Sequence, residues 1–148
     1  MVNTDKLIVQ VMSRKDFEEY IREAHNTKSI AISITGSDED LVPQELIRES
    51  GCNVISIYRA IFDDVDRDEG ITRQQAKEMA EFIKHCVNSK SFDKIIVHCG
   101  AGQSRSAGVA AAILKWMTND DMQIFGNPKY TPNMRCFRFM LEALFFEN

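Results

Sequence analysis

A cysteine and an arginine separated by five residues are the residues here whose types and spacing best suit chemistry. Cys99 follows a short apolar stretch, Lys94 to His98, and both Cys99 and Arg105 lie in the run HCGAGQSRS. A short continuous apolar stretch is typical of a strand buried on both faces in a parallel sheet. A helix is predicted to begin near Ser104. The cysteine is therefore expected at the end of a strand and the arginine in the first turn of a helix.

The loop between these two residues has the features of an anion-binding site. Successive backbone amides can point into one concavity, and a helix N-terminus adds free N–H groups and its positive dipole end. Glycines permit the positive φ angles and close approaches of such a loop. The arginine fork matches two oxygens of a phosphate. The residues expected to bind phosphate are Gly100, Ala101, Gly102, Gln103, Ser104 and Arg105.

The same positive field acts on the sulfur of Cys99. A thiol at a helix N-terminus beside a guanidinium group loses its proton readily. The resulting thiolate is an activated nucleophile that needs no separate base. A site that binds an anion and holds a nucleophile beneath it predicts transfer of a phosphoryl group to the sulfur.

The stretch His98 to Ser106 resembles the His-Cys-x-x-Gly-x-x-Arg-Ser/Thr signature of the protein tyrosine phosphatases. The small size resembles the dual-specificity branch of that family. The resemblance implies hydrolysis of a phosphorylated protein or small phosphoester through a cysteinyl-phosphate intermediate, without metal or cofactor. It also implies that Ser106 donates a hydrogen bond to the thiolate as phosphate leaves, and that His98 orders the loop.

The resemblance further implies an aspartate upstream that protonates the leaving oxygen, because an alkoxide or phenolate leaves poorly unaided. The acidic stretch 63–70 follows a predicted strand, Asn53 to Phe62, and holds several candidates. We choose Asp64 as the general acid, with Asp63 and Asp66 as alternatives.

Other interpretations of these residues are weaker. The acidic stretch has some features of a calcium loop, but Gly70 comes one residue late and Gln75 stands where a bidentate glutamate is needed. The loop lacks the lysines that phosphoinositide phosphatases of the resembled family usually carry, which argues against polyphosphorylated lipid substrates. Two alternatives remain: a phosphate-recognition module without turnover, and a thiolate-based sulfurtransferase.

The composition sets limits on function. The 148 residues, with 44% hydrophobic and 27% charged residues, predict one globular domain spanning 1–148. A net charge of -4 disfavours nucleic-acid binding, which requires a basic surface. No apolar run approaches the ~20 residues needed to span a bilayer, and no signal peptide is evident. The cytoplasm is therefore the expected location, with Cys52, Cys86, Cys99 and Cys136 as free thiols.

Strand and helix patterns alternate along the chain. Strands are predicted at Lys6–Met12, Ile30–Ile34, Asn53–Phe62 and Lys94–His98, and helices are predicted to open at Ser13, Thr72, near Ser104 and at about Pro132. The stretch 38–50 gives no clear signal beyond Pro43. This alternation predicts an α/β fold with a mostly parallel sheet and helices on both faces. Ligands of such folds bind at the carboxyl ends of the strands, which is where Cys99 is expected.

Overall fold

The computed structural model describes residues 6–146, except for the side chain of residue 46. Four strands and six helices occur in this part of the chain. In chain order they are β1 (Ile8–Ser13), α1 (Arg14–Ile21), β2 (Ser29–Thr35), α2 (Gln44–Glu49), β3 (Val54–Ile61), α3 (Arg73–Ser89), β4 (Lys94–Cys99), α4 (Arg105–Thr118), α5 (Met122–Phe125) and α6 (Met134–Phe146).

The four strands form one parallel sheet in the order β1-β4-β2-β3. The strand that leads to Cys99 is therefore central, with a hydrogen-bonded neighbour on each side. The register pairs Ser13 of β1 with Cys99 and Ser33 of β2 with His98. The predicted α/β architecture is confirmed, and it brings the carboxyl ends of the strands to one edge.

Alternate residues of the central strand face two different cores. Ile95 and Val97 belong to the larger core, which the buried faces of α3, α4 and α6 complete. Ile96 belongs to a smaller core with Phe17 and Ile21 of α1. Helices thus cover both faces of the sheet, and all of these side chains are buried. This burial on both faces explains the continuous apolar sequence of β4.

The helix starts follow local capping chemistry. The Ser13 hydroxyl accepts a hydrogen bond from the Asp16 amide at 3.1 Å, and α1 begins directly after it. Thr72 and Gln75 form a reciprocal capping box at the start of α3. Both starts agree with the sequence pattern, because each cap satisfies backbone N–H groups that lack partners within the helix.

Two features differ from the sequence expectation. The pattern places the start of the last helix at Pro132, but α6 begins at Met134. Asn133 is the cap, because its Oδ1 accepts from the Cys136 amide at 3.0 Å. The short helix α5 lies in a segment where the sequence pattern predicts no separate helix; Ile124, its buried residue, packs into the larger core. Among the described helices, none combines the length and the hydrophobicity that crossing a bilayer requires.

Gly108 is the close-contact point between α4 and α6. A Cβ atom built on Gly108 would lie 2.4 Å from the Asn133 carbonyl oxygen and 2.9 Å from the Cys136 Cβ. We expect Gly108→Ala to lower the free energy of unfolding by about 1–3 kcal/mol, since α6 must shift to admit the methyl group. Urea denaturation measures this change. An unchanged midpoint would contradict the tight contact.

Candidate active site

The loop of residues 99–105, here called the cysteine loop, leaves the central strand at the edge where the strands end. The segments after the other three strands surround it. They are Arg14 after β1, Gly36 to Glu39 after β2, and Phe62 to Asp64 after β3. The site therefore lies where the topology predicts a ligand site in a parallel sheet.

The cysteine loop is fixed against the end of β1. The Arg14 amide donates a hydrogen bond to the Gly100 carbonyl at 2.9 Å. Gly102 has a φ of +71°, and a Cβ atom there would lie 2.6 Å from the Ser13 amide nitrogen. Only glycine meets both requirements. Gly100 is not at positive φ; a Cβ there would lie 3.3 Å from Nη2 of Arg105, so this glycine leaves room for the guanidinium group.

The segment before α6 fixes the other side of the loop. The Thr131 amide donates to the Gln103 carbonyl and the Asn133 amide donates to the Ser104 carbonyl, both at 2.9 Å. The backbone of the loop is thus held from two directions by main-chain hydrogen bonds. Such fixation positions the loop amides before any ligand arrives.

Cys99 is 2% exposed, and its Sγ lies 3.0 Å from the Oγ of buried Ser106. Ser106 belongs to the first turn of α4, beneath the loop. The hydroxyl is therefore within hydrogen-bond distance of the sulfur, as the proposed role of Ser106 requires.

Arg105 is held on two sides. Its Nη1 donates to the Phe62 carbonyl at 3.0 Å, and its Nη2 lies 3.8 Å from Oε1 of Glu39. Its Nε is buried and has no hydrogen-bond partner among the described residues. A buried donor without a partner costs free energy, and an acceptor bound beside it would remove that cost.

Asp64 is the acidic candidate that contacts the loop. Its Oδ1 accepts hydrogen bonds from Ser104 Oγ at 2.7 Å and from Asn133 Nδ2 at 2.9 Å. Its Oδ2 has no hydrogen-bond partner within residues 6–146. The carboxyl group is therefore fixed beside the loop with one oxygen available.

The two alternative aspartates are engaged elsewhere. The Ser37 amide donates to Asp63 Oδ1 at 2.9 Å, and the Ser37 hydroxyl donates to the same carboxylate. These bonds, the amide foremost, lower the pKa of Asp63, and the charge of Arg105 acts in the same direction. Asp66 pairs with Arg138 at 3.2 Å. A carboxyl group whose pKa is lowered by its hydrogen-bond donors is a poorer proton donor, so these contacts make Asp63 the weaker candidate for a general acid.

His98 directly precedes the cysteine loop, and its Nδ1 lies 3.3 Å from the Cys99 carbonyl oxygen. Its side chain is fully buried, with Nε2 at 2.6 Å from Ser33 Oγ and the ring stacked on Phe17 at a centroid distance of 4.3 Å. Burial lowers the pKa of His98 to about 4, with the charge of Arg14 as a smaller contribution in the same direction. The imidazole is therefore neutral at pH 7, which suits a structural role.

The other three cysteines are buried, and all four are free. Burial raises the pKa of the Cys136 thiol well above its ordinary range and also raises that of Cys86. Such thiols are poor nucleophiles at neutral pH. No cluster of three or more potential metal ligands occurs among the described His, Cys, Asp and Glu residues.

Three contributors to the site are missing from the sequence interpretation: Glu39, Arg14 and Asn133. Asn133 has a recognisable signal, because asparagine just before an apolar helical pattern favours an N-cap. Arg14 follows the predicted first strand, but nothing in the pattern assigns it to the loop. Glu39 lies in a segment without clear periodicity, so the sequence gives no signal for its placement.

Comparison with known structures establishes the class of fold. The structure is similar to Tk-PTP in the active form, with a TM-score of 0.60 and 15% identity over 96% of this chain and 94% of that one. It is also similar to the Cydia pomonella PTP-2 phosphatase, with a TM-score of 0.64 and 16% identity over 90% and 84% of the two chains. The comparison with PTPMT1 gives a TM-score of 0.56 and 18% identity over 92% of this chain and 88% of that one.

These structural neighbours are cysteine-based phosphatases of the tyrosine and dual-specificity kind, and the chain shares their fold. At the level of sequence families, the Rit1 DUSP-like domain matches residues 68–136, which is less than half of the chain. That match includes the cysteine loop and Asn133, but neither Glu39 nor Asp64. No curated protein matches the sequence.

The buried His98 generates a prediction on stability. Because its pKa falls from 6.5 to about 4 on folding, the unfolded chain binds the proton more tightly. The contribution of neutral His98 to the free energy of unfolding is fully present above pH 6.5. It is lost as the pH falls towards 4, by roughly 3 kcal/mol in total. We expect His98→Gln to show a smaller loss than the wild type over this range in urea unfolding. His85→Gln, at an exposed position on α3, is the control; equal pH dependence in all three proteins would contradict the account.

Proposed function

We propose that this protein is a phosphatase that hydrolyses phosphomonoesters, phosphotyrosine in proteins foremost, through a covalent intermediate on Cys99. Phosphoserine and phosphothreonine are included as further substrates, as in the dual-specificity branch that the sequence resembles. One observation carries the proposal: Cys99 begins a loop that ends in Arg105 and is held by main-chain hydrogen bonds, and the Ser106 hydroxyl lies 3.0 Å from the sulfur. The shared fold supports it.

In the first step, the Cys99 thiolate attacks phosphorus, and the bond between phosphorus and the ester oxygen breaks. The amides of residues 100–105 and the Arg105 guanidinium group stabilise the charge on the equatorial oxygens. Asp64 gives its proton to the leaving oxygen, so the product is a neutral phenol or alcohol. Asp64 suits this role because Ser104 and Asn133 fix one carboxyl oxygen beside the loop.

In the second step, water attacks the phosphorus of the cysteinyl phosphate. The Asp64 carboxylate accepts a proton from that water, and the bond between sulfur and phosphorus breaks. Ser106 donates a hydrogen bond to the departing thiolate, which its 3.0 Å distance permits. Inorganic phosphate leaves, and both groups return to their starting protonation states.

Hydrolysis of p-nitrophenyl phosphate in EDTA, followed across pH, tests this mechanism. Cys99→Ser should lose activity by about 10⁴-fold or more, because a serine hydroxyl at this position lacks an activating base. Cys86→Ser, a buried cysteine on α3, is the matched control and should retain activity. A Cys99→Ser variant with most of the wild-type rate would rule out the covalent mechanism.

The same assay identifies the general acid. Asp64→Ala should lower kcat by about 10²–10⁴-fold with a phosphotyrosine peptide, by less with the better p-nitrophenolate leaving group, and should flatten the basic side of the pH profile. Asp63→Ala should leave that side intact. The reverse pattern would assign the acid to Asp63. Phosphopeptide binding without turnover in the wild type would instead indicate a recognition module.

A further inference from the structure

The Glu39 carboxylate lies between two guanidinium groups at the candidate site. Its Oε1 is 3.8 Å from Nη2 of Arg105, and its Oε2 is 3.9 Å from Nη1 of Arg14. The Gly36 amide donates to Oε1 at 2.7 Å and fixes the carboxylate there. A Cβ built on Gly100 would lie 3.9 Å from Oε2, so the carboxylate stands directly beside the cysteine loop.

Arg14 is a second cation at the edge of this loop. Its amide is hydrogen-bonded to the Gly100 carbonyl, and its Nε donates to Glu18 at 2.6 Å. Its Nη1 is buried and makes no hydrogen bond to any described residue, with Glu39 as its ion-pair partner. Within residues 6–146, Nη1 of Arg14 is therefore engaged by the charge of Glu39 and not by a hydrogen bond.

We propose that Glu39 is a specificity-determining residue that restricts the site to ligands with a single phosphoryl group. This inference rests on the proposed function of the cysteine loop. Because Glu39 lies between Arg105 and Arg14, a second phosphoryl group that reaches from Arg105 towards Arg14 would meet this carboxylate. The negative charge of Glu39 would repel the second phosphoryl group. Arg14 could not bind that group either, because it already pairs with Glu39. A single phosphoryl group in the loop needs Arg105 alone.

Removal of the Glu39 charge should open the site to a second phosphoryl group. Glutamine keeps the size of the side chain but no longer repels an anion or pairs with Arg14. The Arg14 guanidinium group then becomes available to the second phosphoryl group, and a charge-assisted hydrogen bond of this kind changes affinity by about tenfold or more. The gain should be specific to ligands with two adjacent phosphoryl groups.

Competitive inhibition of p-nitrophenyl phosphate hydrolysis by orthophosphate and by pyrophosphate tests the proposal. In Glu39→Gln, the inhibition constant of pyrophosphate should fall about tenfold more than that of orthophosphate. In the double variant Arg14→Gln with Glu39→Gln, the ratio of the two constants should return towards the wild-type value. Asp40→Asn removes the same charge from an exposed neighbour and should leave the ratio unchanged. Inhibition by orthophosphate shows that the site in each variant is folded.

Equal changes for the two anions in Glu39→Gln would overturn the proposal, because Glu39 would then act through Arg105 alone. A ratio that stays shifted in the double variant would overturn the role proposed for Arg14, because removal of the Glu39 charge would then account for the whole change. Calorimetric titration of the two anions into the Cys99→Ser background gives the same ratios without turnover. The role of Glu39 is thus tested even if the wild type proves to be a binding module. Failure of the proposed catalysis and failure of the proposed specificity are therefore distinguishable.

Discussion

The backbone of the cysteine loop passes so close to the end of β1 that no side chain fits between them. A Cβ atom at Gly102 would lie 2.6 Å from the Ser13 amide nitrogen, and the residue has a φ of +71°. The Arg14 amide closes the same contact through its bond to the Gly100 carbonyl. The parallel pairing of β1 with β4 creates this proximity, because it brings Ser13 opposite Cys99. The position of the sulfur, the direction of the loop amides and the start of α4 all depend on it.

Three carboxylates around the loop differ in what they contact, and this separates their chemistry. Ser37 donates hydrogen bonds to Asp63, which lower the pKa of its carboxyl group. Ser104 and Asn133 hold one oxygen of Asp64 and leave the other available. Glu39 faces the two arginines. The three carboxylates carry the same charge, and their different partners are what distinguish them.

The cysteine loop and the fold class could be predicted because their signals are local. A buried strand, a glycine-containing loop and a helix start follow one another within a few residues, and each has its own composition. From the sequence, Asp64 is chosen over Asp63 through the resemblance alone, because the contacts that distinguish the two carboxylates come from Ser37 and Asn133, which are distant in the chain. The position of Glu39 could not be predicted for the same reason. Its partners, Arg14 and Arg105, follow β1 and β4, and its own segment has no periodicity. Local sequence patterns predict strands and helices. Which charged side chains come into contact depends on how the ends of several strands pack together.

The proposed mechanism depends on transfer of a phosphoryl group to the sulfur of Cys99. The most direct test is rapid acid quenching of the protein during turnover of p-nitrophenyl phosphate, then mass spectrometry of its peptides. Ser106→Ala should accumulate the intermediate, because the departing thiolate loses its hydrogen-bond donor in the second step. We expect the added mass of one phosphoryl group on the peptide that contains Cys99. Turnover with that peptide unmodified, or with the added mass on another residue, would contradict the account.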